Sequence, residues 1–440
     1  MVSIQSISLS GFHPLEFFSK LGSGEKTPAY FTSGAWTILA WNPKCTIRSK
    51  DMAIFEALKE AQKKRSIPNR KDLPFIGGTI GFLGYDGGGI FHEYDQALLW
   101  NGKKLVVIGD KKYIGEVWEI WKRSPERSSP PTPLLRQERG DSHFSQHESS
   151  SLRRSGERCP AGRSEDRLRW TPSITRARYG KAFKKIQRDI RHGEYYQLNL
   201  TYALEADSAC DHRQMFCALV KANPASCAAY FEDRNFALLS LSPERFVTIE
   251  NGFIVTCPIK GTRPRGKNSA EDLRFKNELL KSEKEAAELN MITDLLRNDI
   301  GKVSLPGSVR VAGHRLLQKN PFVWHTYSVI EGRLARDIHP IDALQSMFPG
   351  GSVTGCPKRA AMKRIAELEN TKRGPYCGSM VMLSDDGRLD STVLIRTIVA
   401  EGEHLSLGIG GGIVADSGER EEWEETKQKA KAFSATLSLT

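Results

Sequence analysis

No two cysteines in this sequence are spaced as CxxC, and no apolar run approaches the roughly 20 residues that cross a bilayer. The eight cysteines, at 45, 159, 210, 217, 227, 257, 356 and 377, give neither a disulfide framework nor zinc-ligand spacing. They suit reduced thiols. The opening stretch, MVSIQSISLSGFHPLEFF, has no basic segment followed by an apolar one, so no secretory leader is expected. Together these absences point to a cytoplasmic protein with no membrane partner. The glycine-rich stretch GIGGGIVADS lacks GxGxxG spacing, and KGT at 260–262 is no phosphate-binding loop, which leaves nucleotide binding without support. Zinc-finger spacing, an aromatic ribonucleoprotein signature and a basic helix with interleaved aromatics are all missing. The net charge of +12 therefore reads as a basic surface, and a nonenzymatic nucleic-acid binder is the reading kept from a different class.

What is present suits one large or two medium soluble domains: 440 residues with ample apolar content for a core. Residues 1–121 mix short strand-like runs (AWTILAW, KLVVIGD) with the glycine-rich FIGGTIGFLGYDGGGIF. From 122 to about 172 the chain turns Pro/Ser/Arg-rich and loses aliphatic periodicity, the composition of a mobile insert or linker that cannot bury enough apolar surface to order itself. From 173 to 440 order resumes. Ser173 or Thr175 is placed to cap a helix that Gly193 ends. The runs YYQLNLTYALEA, ALLSLSPERFVTIE and GFIVTCPIKG read as strands, DLRFKNELLKSEKEAAELNMITDLLRND as one long helix, and STVLIRTIVA and HLSLGIGGGIV as strands before a charged terminal helix. Strand blocks separated by long helices predict an α+β fold, and no internal repeat is visible.

Several residues carry candidate chemistry. Glu285 and Glu288 form one ExxE pair and Glu422 and Glu425 a second; spacing of three puts each pair on one helical face. A hard divalent cation would offset the repulsion, as Mg²⁺ takes oxygen ligands. Screening by Lys281 and Lys284, or a helix N-terminus, would serve as well. Lys260, between Ile259 and Gly261, is either solvated on a turn or held in a site. Glu244, leaving a strand in SLSPERF, is a general acid if its surroundings raise its pKa, and an ordinary exposed acid otherwise. His325 among apolar neighbours fits a core residue or a catalyst. Cys257 is a nucleophile candidate, though buried thiols are usually inert.

In order along the chain, SPERF, PIKGTRPRG, KEAAELNMITDLLRNDIGKV, FPGGSVTGCPK, YCGSM, LIRT, GIGGGIVADS and EWEET resemble the chorismate-utilising enzymes, with weaker likeness in GGTIGFLGYD and ILAWNP. The resemblance implies an α/β sandwich of two large antiparallel sheets flanked by helices, with the active site between them. It further implies that Glu285, Glu288, Glu422 and Glu425 surround one Mg²⁺. Tyr376 and Arg396 match positions that hold the enolpyruvyl carboxylate, and Gly261, Thr262, Gly410, Gly411, Gly412 and Lys429 match positions lining the substrate.

Within that family the likeness is greatest to the members that form aminodeoxychorismate. Anthranilate-forming members, the nearest alternative, usually carry alanine where this chain has Lys260. Members that add water to chorismate carry a lysine base where this chain has Gln197. The resemblance implies that Lys260 attacks ring carbon C2 while Glu244 protonates the departing C4 hydroxyl, after which ammonia enters at C4 and expels the lysine. His325 takes a supporting role. Ammonia is expected from a separate glutamine amidotransferase subunit, and the product would feed 4-aminobenzoate and folate synthesis. Cys356 and Trp324 depart from the usual residues of their motifs.

Overall fold

The computed structural model describes residues 3–7, 12–21, 26–64, 73–122, 168–369 and 371–437. Among these, two antiparallel sheets of 12 and 10 strands carry the architecture. The α+β sandwich is the fold expected above. Most of the insert, 123–167, lies outside the described residues.

Period-2 patterning explains how the sheets stack. In Ala29–Ser33 and Trp36–Ala40 of the first sheet, Ala29, Phe31, Ile38 and Ala40 join a core that also contains Ile80, Phe82, Met380 and Met382 of the second sheet. Tyr30 and Leu39, one residue out of phase, instead join the core beneath the helices. Both faces of these strands are therefore apolar, as strands buried on two sides require. The N-terminal strands pair edge to edge with the C-terminal ones: Ala29–Ser33 lies beside Cys227–Asp233, and Gly78–Leu83 beside Ser379–Ser384. Both parts of the chain thus build the same two sheets.

Two runs that read as single strands are each divided between the sheets. ALLSLSPERFVTIE becomes Phe236–Ser242 in the first sheet and Arg245–Glu250 in the second. Pro243 has no N–H for a ladder bond, so pairing stops there. STVLIRTIVA likewise becomes parts of Leu389–Val393 in the second sheet and Thr397–Glu401 in the first, with Arg396 at φ +50 breaking the extended path. The crossings are tied together: Leu241 N–H donates to the Arg396 carbonyl at 2.9 Å, and Val393 N–H to the Glu244 carbonyl at 3.1 Å. Glu244 and Arg396 are therefore set where the chain passes between sheets.

The long helical stretch is likewise two helices, Ser269–Lys281 and Glu283–Gly301. Ser282 between them is extended, at φ −69 and ψ 111, and its hydroxyl accepts the Glu285 N–H as an N-cap. That break places Glu285 and Glu288 in the first turns of a new helix rather than mid-helix. Thr175 caps the helix Arg176–Arg191, as the sequence allowed, and Gly193 follows it at φ +78. Among the described residues no helix is long and apolar enough to cross a membrane.

Candidate active site

Lys260 lies on Ile259–Pro264, paired with Val323–Arg333 through a bulge between Lys260 and Thr262. Gly261 forms that bulge at φ +84, a conformation that glycine adopts without strain. The Thr326 hydroxyl donates to the Lys260 carbonyl and fixes the backbone there. The Lys260 side chain is only 16% exposed, and its Nζ stands 3.8 Å from Glu288 Oε2. Lys260 is mostly buried on a strand and is no solvated turn residue.

Glu244 is buried at 6% exposure. Burial pushes its carboxyl up to about 7, against a hydrogen bond from Ser352 and the nearby charge of Lys260. The Lys260 ammonium thus feels both Glu244 and Glu288. A carboxyl titrating near neutrality is suited to giving up a proton during turnover.

The terminal helix Glu419–Leu437 brings Glu422 and Glu425 to the same region. Glu425 adds to the negative field at both Glu288 and Glu422. Burial pushes Glu288 up, with Lys260 opposing and Glu285 adding. Burial also pushes Glu422 up, against the hydrogen bond from Ser417. Each carboxylate has a cationic neighbour. Arg263 Nη1 lies 3.2 Å from Glu285, Lys260 3.8 Å from Glu288, Lys284 4.0 Å from Glu422, and Lys429 2.9 Å from Glu425. Lys284 screens Glu288 on its own helix, and its ammonium also reaches Glu422 on the other one.

Among the described residues no three carboxylate, thiol or imidazole groups are closed around a common point. The donor set nevertheless fits a hard divalent ion: four carboxylates, two of them pushed up by crowding and burial, and no soft ligand. Glycine keeps space beside the oxygens. A Cβ on Gly261 would lie 3.2 Å from Glu285 Oε2, and one on Gly411 would lie 3.1 Å from Glu422 Oε2.

The glycines 410–412 run along His404–Ile413, paired with Gln197–Asp207. Lys429 Nζ donates to the Gly410 carbonyl at 3.0 Å. Gln197 is fully buried, and among the described residues neither its Oε1 nor its Nε2 has a partner. Its carboxamide lies against Gly412, where a Cβ would come within 2.4 Å of Nε2. Such an unpaired amide is costly in a core and common in a ligand site.

His325 Nδ1 and the Thr262 hydroxyl are hydrogen-bonded at 2.9 Å. Burial, aided by the charge of Arg396, pushes His325 down to about 4, so its imidazole is neutral near pH 7. Burial also lowers Arg396, and among the described residues no carboxylate pairs with it. A guanidinium left in that state is a receptor for an anion. Tyr376 is buried with its ring against Gly408, where no side chain would fit. Arg373, three residues before it, is instead buried in a pair with Glu369 at 2.7 Å and stacks 4.4 Å over Tyr85.

Other readings are sorted by the same geometry. Burial pushes the Cys257 thiol up, the wrong direction for a nucleophile. Cys356 pairs with Gln197 across two strands. Trp324 donates to Asp272 at 2.9 Å and stacks on Arg265. As the neighbour of His325 on a strand, it belongs to the opposite face. Residues that sequence reasoning missed are Ser352, Ser417 and Arg263. Each stands inside or beside a quoted motif, but nothing local says which carboxylate it will meet.

Residues 24–435 match the family described as chorismate binding enzyme. The aminodeoxychorismate synthase component 1 of Salmonella typhimurium is 37% identical over 394 residues, 88% of this chain and 83% of that protein. The protein of the same name from Escherichia coli is 35% identical over 403 residues, covering 90% and 85%. Among solved structures, anthranilate synthase component I from Streptococcus pneumoniae superposes with a TM-score of 0.74 at 26% identity, covering 96% of this chain and 97% of that one. The menaquinone-specific isochorismate synthase of Escherichia coli shares the fold, with a TM-score of 0.73 at 17% identity over 100% and 95% of the two chains.

Proposed function

The chain belongs to the chorismate-binding enzymes, and from that premise we propose that it forms 4-amino-4-deoxychorismate from chorismate and ammonia. The observation that carries this reading is Lys260, mostly buried and under the joint influence of Glu244 and Glu288.

The chemistry is two allylic displacements. With its ammonium proton released to solvent, the amine of Lys260 bonds to C2, the ring double bonds shift, and the C4–oxygen bond breaks. Glu244 gives its proton to the departing hydroxyl, which leaves as water. Ammonia then bonds to C4, the double bonds shift back, and the C2–nitrogen bond breaks. The leaving lysine retains a proton, and the Glu244 carboxylate accepts one from the incoming nitrogen. Nitrogen thus ends at C4 and the enolpyruvyl group stays in place.

Arg396 and Tyr376 orient the enolpyruvyl carboxylate, while the 410–412 glycines and Lys429 line the substrate. His325, neutral and tied to Thr262, supports the same wall without donating a full charge. Glu285, Glu288, Glu422 and Glu425 would hold Mg²⁺, which when bound would neutralise a substrate carboxylate. The unpaired carboxamide of Gln197 offers no base to activate water, which favours amine chemistry over hydration. Ammonia would come from a separate glutamine amidotransferase subunit; the relatives' own names call them one component of a synthase.

The test is a product assay with purified protein, chorismate, Mg²⁺ and ammonium. A product that yields 4-aminobenzoate only after addition of aminodeoxychorismate lyase supports the reading. Fluorescent anthranilate formed without the lyase overturns it in favour of anthranilate synthesis. Salt-sensitive nucleic-acid binding with no chorismate turnover would overturn both.

A further inference from the structure

Among the described residues, Glu422 differs from the other three glutamates in having a hydroxyl on its carboxylate. Ser417 Oγ donates to Glu422 Oε1 at 2.6 Å, a short charge-assisted bond. The other oxygen, Oε2, is the one that lies 3.1 Å from where a Gly411 Cβ would be. Oε1, which also has Lys284 Nζ at 4.0 Å, is therefore engaged by Ser417, while its mate lies beside the glycine-lined stretch.

Ser417 is itself fixed. Its Oγ also accepts the Val414 N–H at 3.1 Å, and its own N–H donates to the Val414 carbonyl at 3.1 Å. Gln187, buried on the helix Arg176–Arg191, donates to the Val414 carbonyl at 2.7 Å and to the Ser417 carbonyl at 3.3 Å. The Glu422 N–H donates to the Gly418 carbonyl at 3.0 Å, so the turn runs directly into the helix bearing the carboxylate. A continuous set of hydrogen bonds thus reaches from Gln187 through the 414–418 turn to Oε1.

We infer that Ser417, braced by Gln187, is a positioning residue that restricts Glu422 to presenting a single oxygen, Oε2, to a divalent cation. The inference rests on the reading of the four glutamates as an Mg²⁺ site. Mg²⁺ demands near-octahedral geometry, and a carboxylate whose second oxygen is occupied cannot chelate it in the wider bidentate mode that Ca²⁺ accepts. Partners behind a metal ligand commonly control affinity by 10- to 100-fold. Ser417 would therefore set both affinity and the preference for Mg²⁺ over Ca²⁺.

The experiment measures metal binding without turnover, on the full chain. Mn²⁺ serves as probe by electron paramagnetic resonance, with Mg²⁺ and Ca²⁺ as competitors. Ser417→Ala is expected to weaken Mn²⁺ binding by at least about tenfold and to narrow the Mg²⁺-over-Ca²⁺ preference. Ser417→Thr, which keeps the hydroxyl, should restore both, and Gln187→Leu should reproduce the loss in part. Thermal unfolding of each variant shows whether it is folded; should Ser417→Ala fail to fold, Gln187→Leu and the threonine variant decide. Wild-type affinity and selectivity in Ser417→Ala, or in Gln187→Leu if that variant must decide, would overturn the inference, as would a threonine variant no better than alanine. A wild-type chain that binds no Mn²⁺ at this site also overturns it. None of these results depends on which product is formed, so failure here is separable from failure of the product assay.

Discussion

The ammonium of Lys260 stands 3.8 Å from Oε2 of Glu288, which makes the proposed nucleophile the counter-ion of a proposed metal ligand. The two residues come from different elements, the strand Ile259–Pro264 and the helix Glu283–Gly301. On the proposed roles, substrate chemistry and cation binding would be coupled through one ion pair.

Lys260→Ala should abolish covalent capture of the substrate. Incubated with chorismate and Mg²⁺ in the absence of ammonia, the wild-type chain is expected to gain mass by a chorismate-derived adduct. The alanine variant should gain none, as read by intact mass spectrometry and peptide mapping. An adduct of equal size on the variant would remove Lys260 from the nucleophile's role.

As the proposed general acid, Glu244 should set an upper pH limit for turnover. As an acid titrating near 7, it loses its proton as pH rises, so kcat should fall on the alkaline side of about 7. Glu244→Gln should reduce kcat by about 10²- to 10⁴-fold and remove that limb of the profile. Folding is linked to the same proton. The folded carboxyl holds it up to about 7, whereas the unfolded one releases it near the ordinary value of 4.5. This contribution to stability is fully present below that ordinary value and is lost as pH rises through 7. Urea unfolding of Glu244→Gln at pH 5 and pH 8 should show less decline than wild type.

His325 acts with the opposite sign. Its folded imidazole titrates near 4 and its ordinary value is 6.5. The unfolded state binds the proton first, so stability is present above 6.5 and erodes as pH falls toward 4. His325→Gln should lessen that acid-side loss in the same urea series. An unchanged slope between pH 4.5 and 6.5 would show that the histidine is not held neutral.

Two glycines at the site should fail differently. Gly411 does not have a positive φ, and its added Cβ would meet only Glu422 Oε2 at 3.1 Å and Lys429 Nζ at 3.7 Å. Gly411→Ala is expected to fold normally while losing cation affinity. Gly261 sits at φ +84, with Leu279 and Thr326 atoms 2.9 Å from its added Cβ. Gly261→Ala should cost roughly 1–3 kcal/mol of stability through strain and crowding. Calorimetry and metal titration on both variants check the contrast.

Gln197→Leu should raise stability and lower activity together. The wild-type carboxamide is fully buried with both polar atoms unpaired, a cost on the order of 1–3 kcal/mol that an apolar side chain of similar size removes. Urea unfolding measures the gain and steady-state kinetics the loss. A variant that is less stable would mean the carboxamide has a partner, such as ordered water, that offsets its burial.

The split of SLSPERF and of STVLIRT between two sheets shows where sequence reading stops. Both stretches alternate or run apolar over enough residues to predict strands, and strands are found on either side of each break. What is not local is that the chain changes sheets at Pro243–Glu244 and again at Arg396. Each crossing is tied to the other by hydrogen bonds between residues more than 140 positions apart. The helix break at Ser282 is a milder case. The serine and the acids after it form an N-terminal signature, yet the helical propensity of the flanking residues hides it.

Backbone geometry made the rest legible. A helix repeats every 3.6 residues and a strand every two, so the ExxE spacing alone determined that each glutamate pair shares a face. The apolar runs marked the strands, and the order of the motifs pointed to the family. Those periods carry no information about which faces meet. Only the packing of Glu283–Gly301 on the strand bearing Lys260, and of Glu419–Leu437 on the strand His404–Ile413, decided that the two acid pairs share one field. It also decided that Lys284 answers Glu422 as well as its own helix, and that Ser417 engages one oxygen of that carboxylate. Coulombic and hydrogen-bonding forces act over a few ångströms, and at that range distance in space, not in sequence, selects the partner.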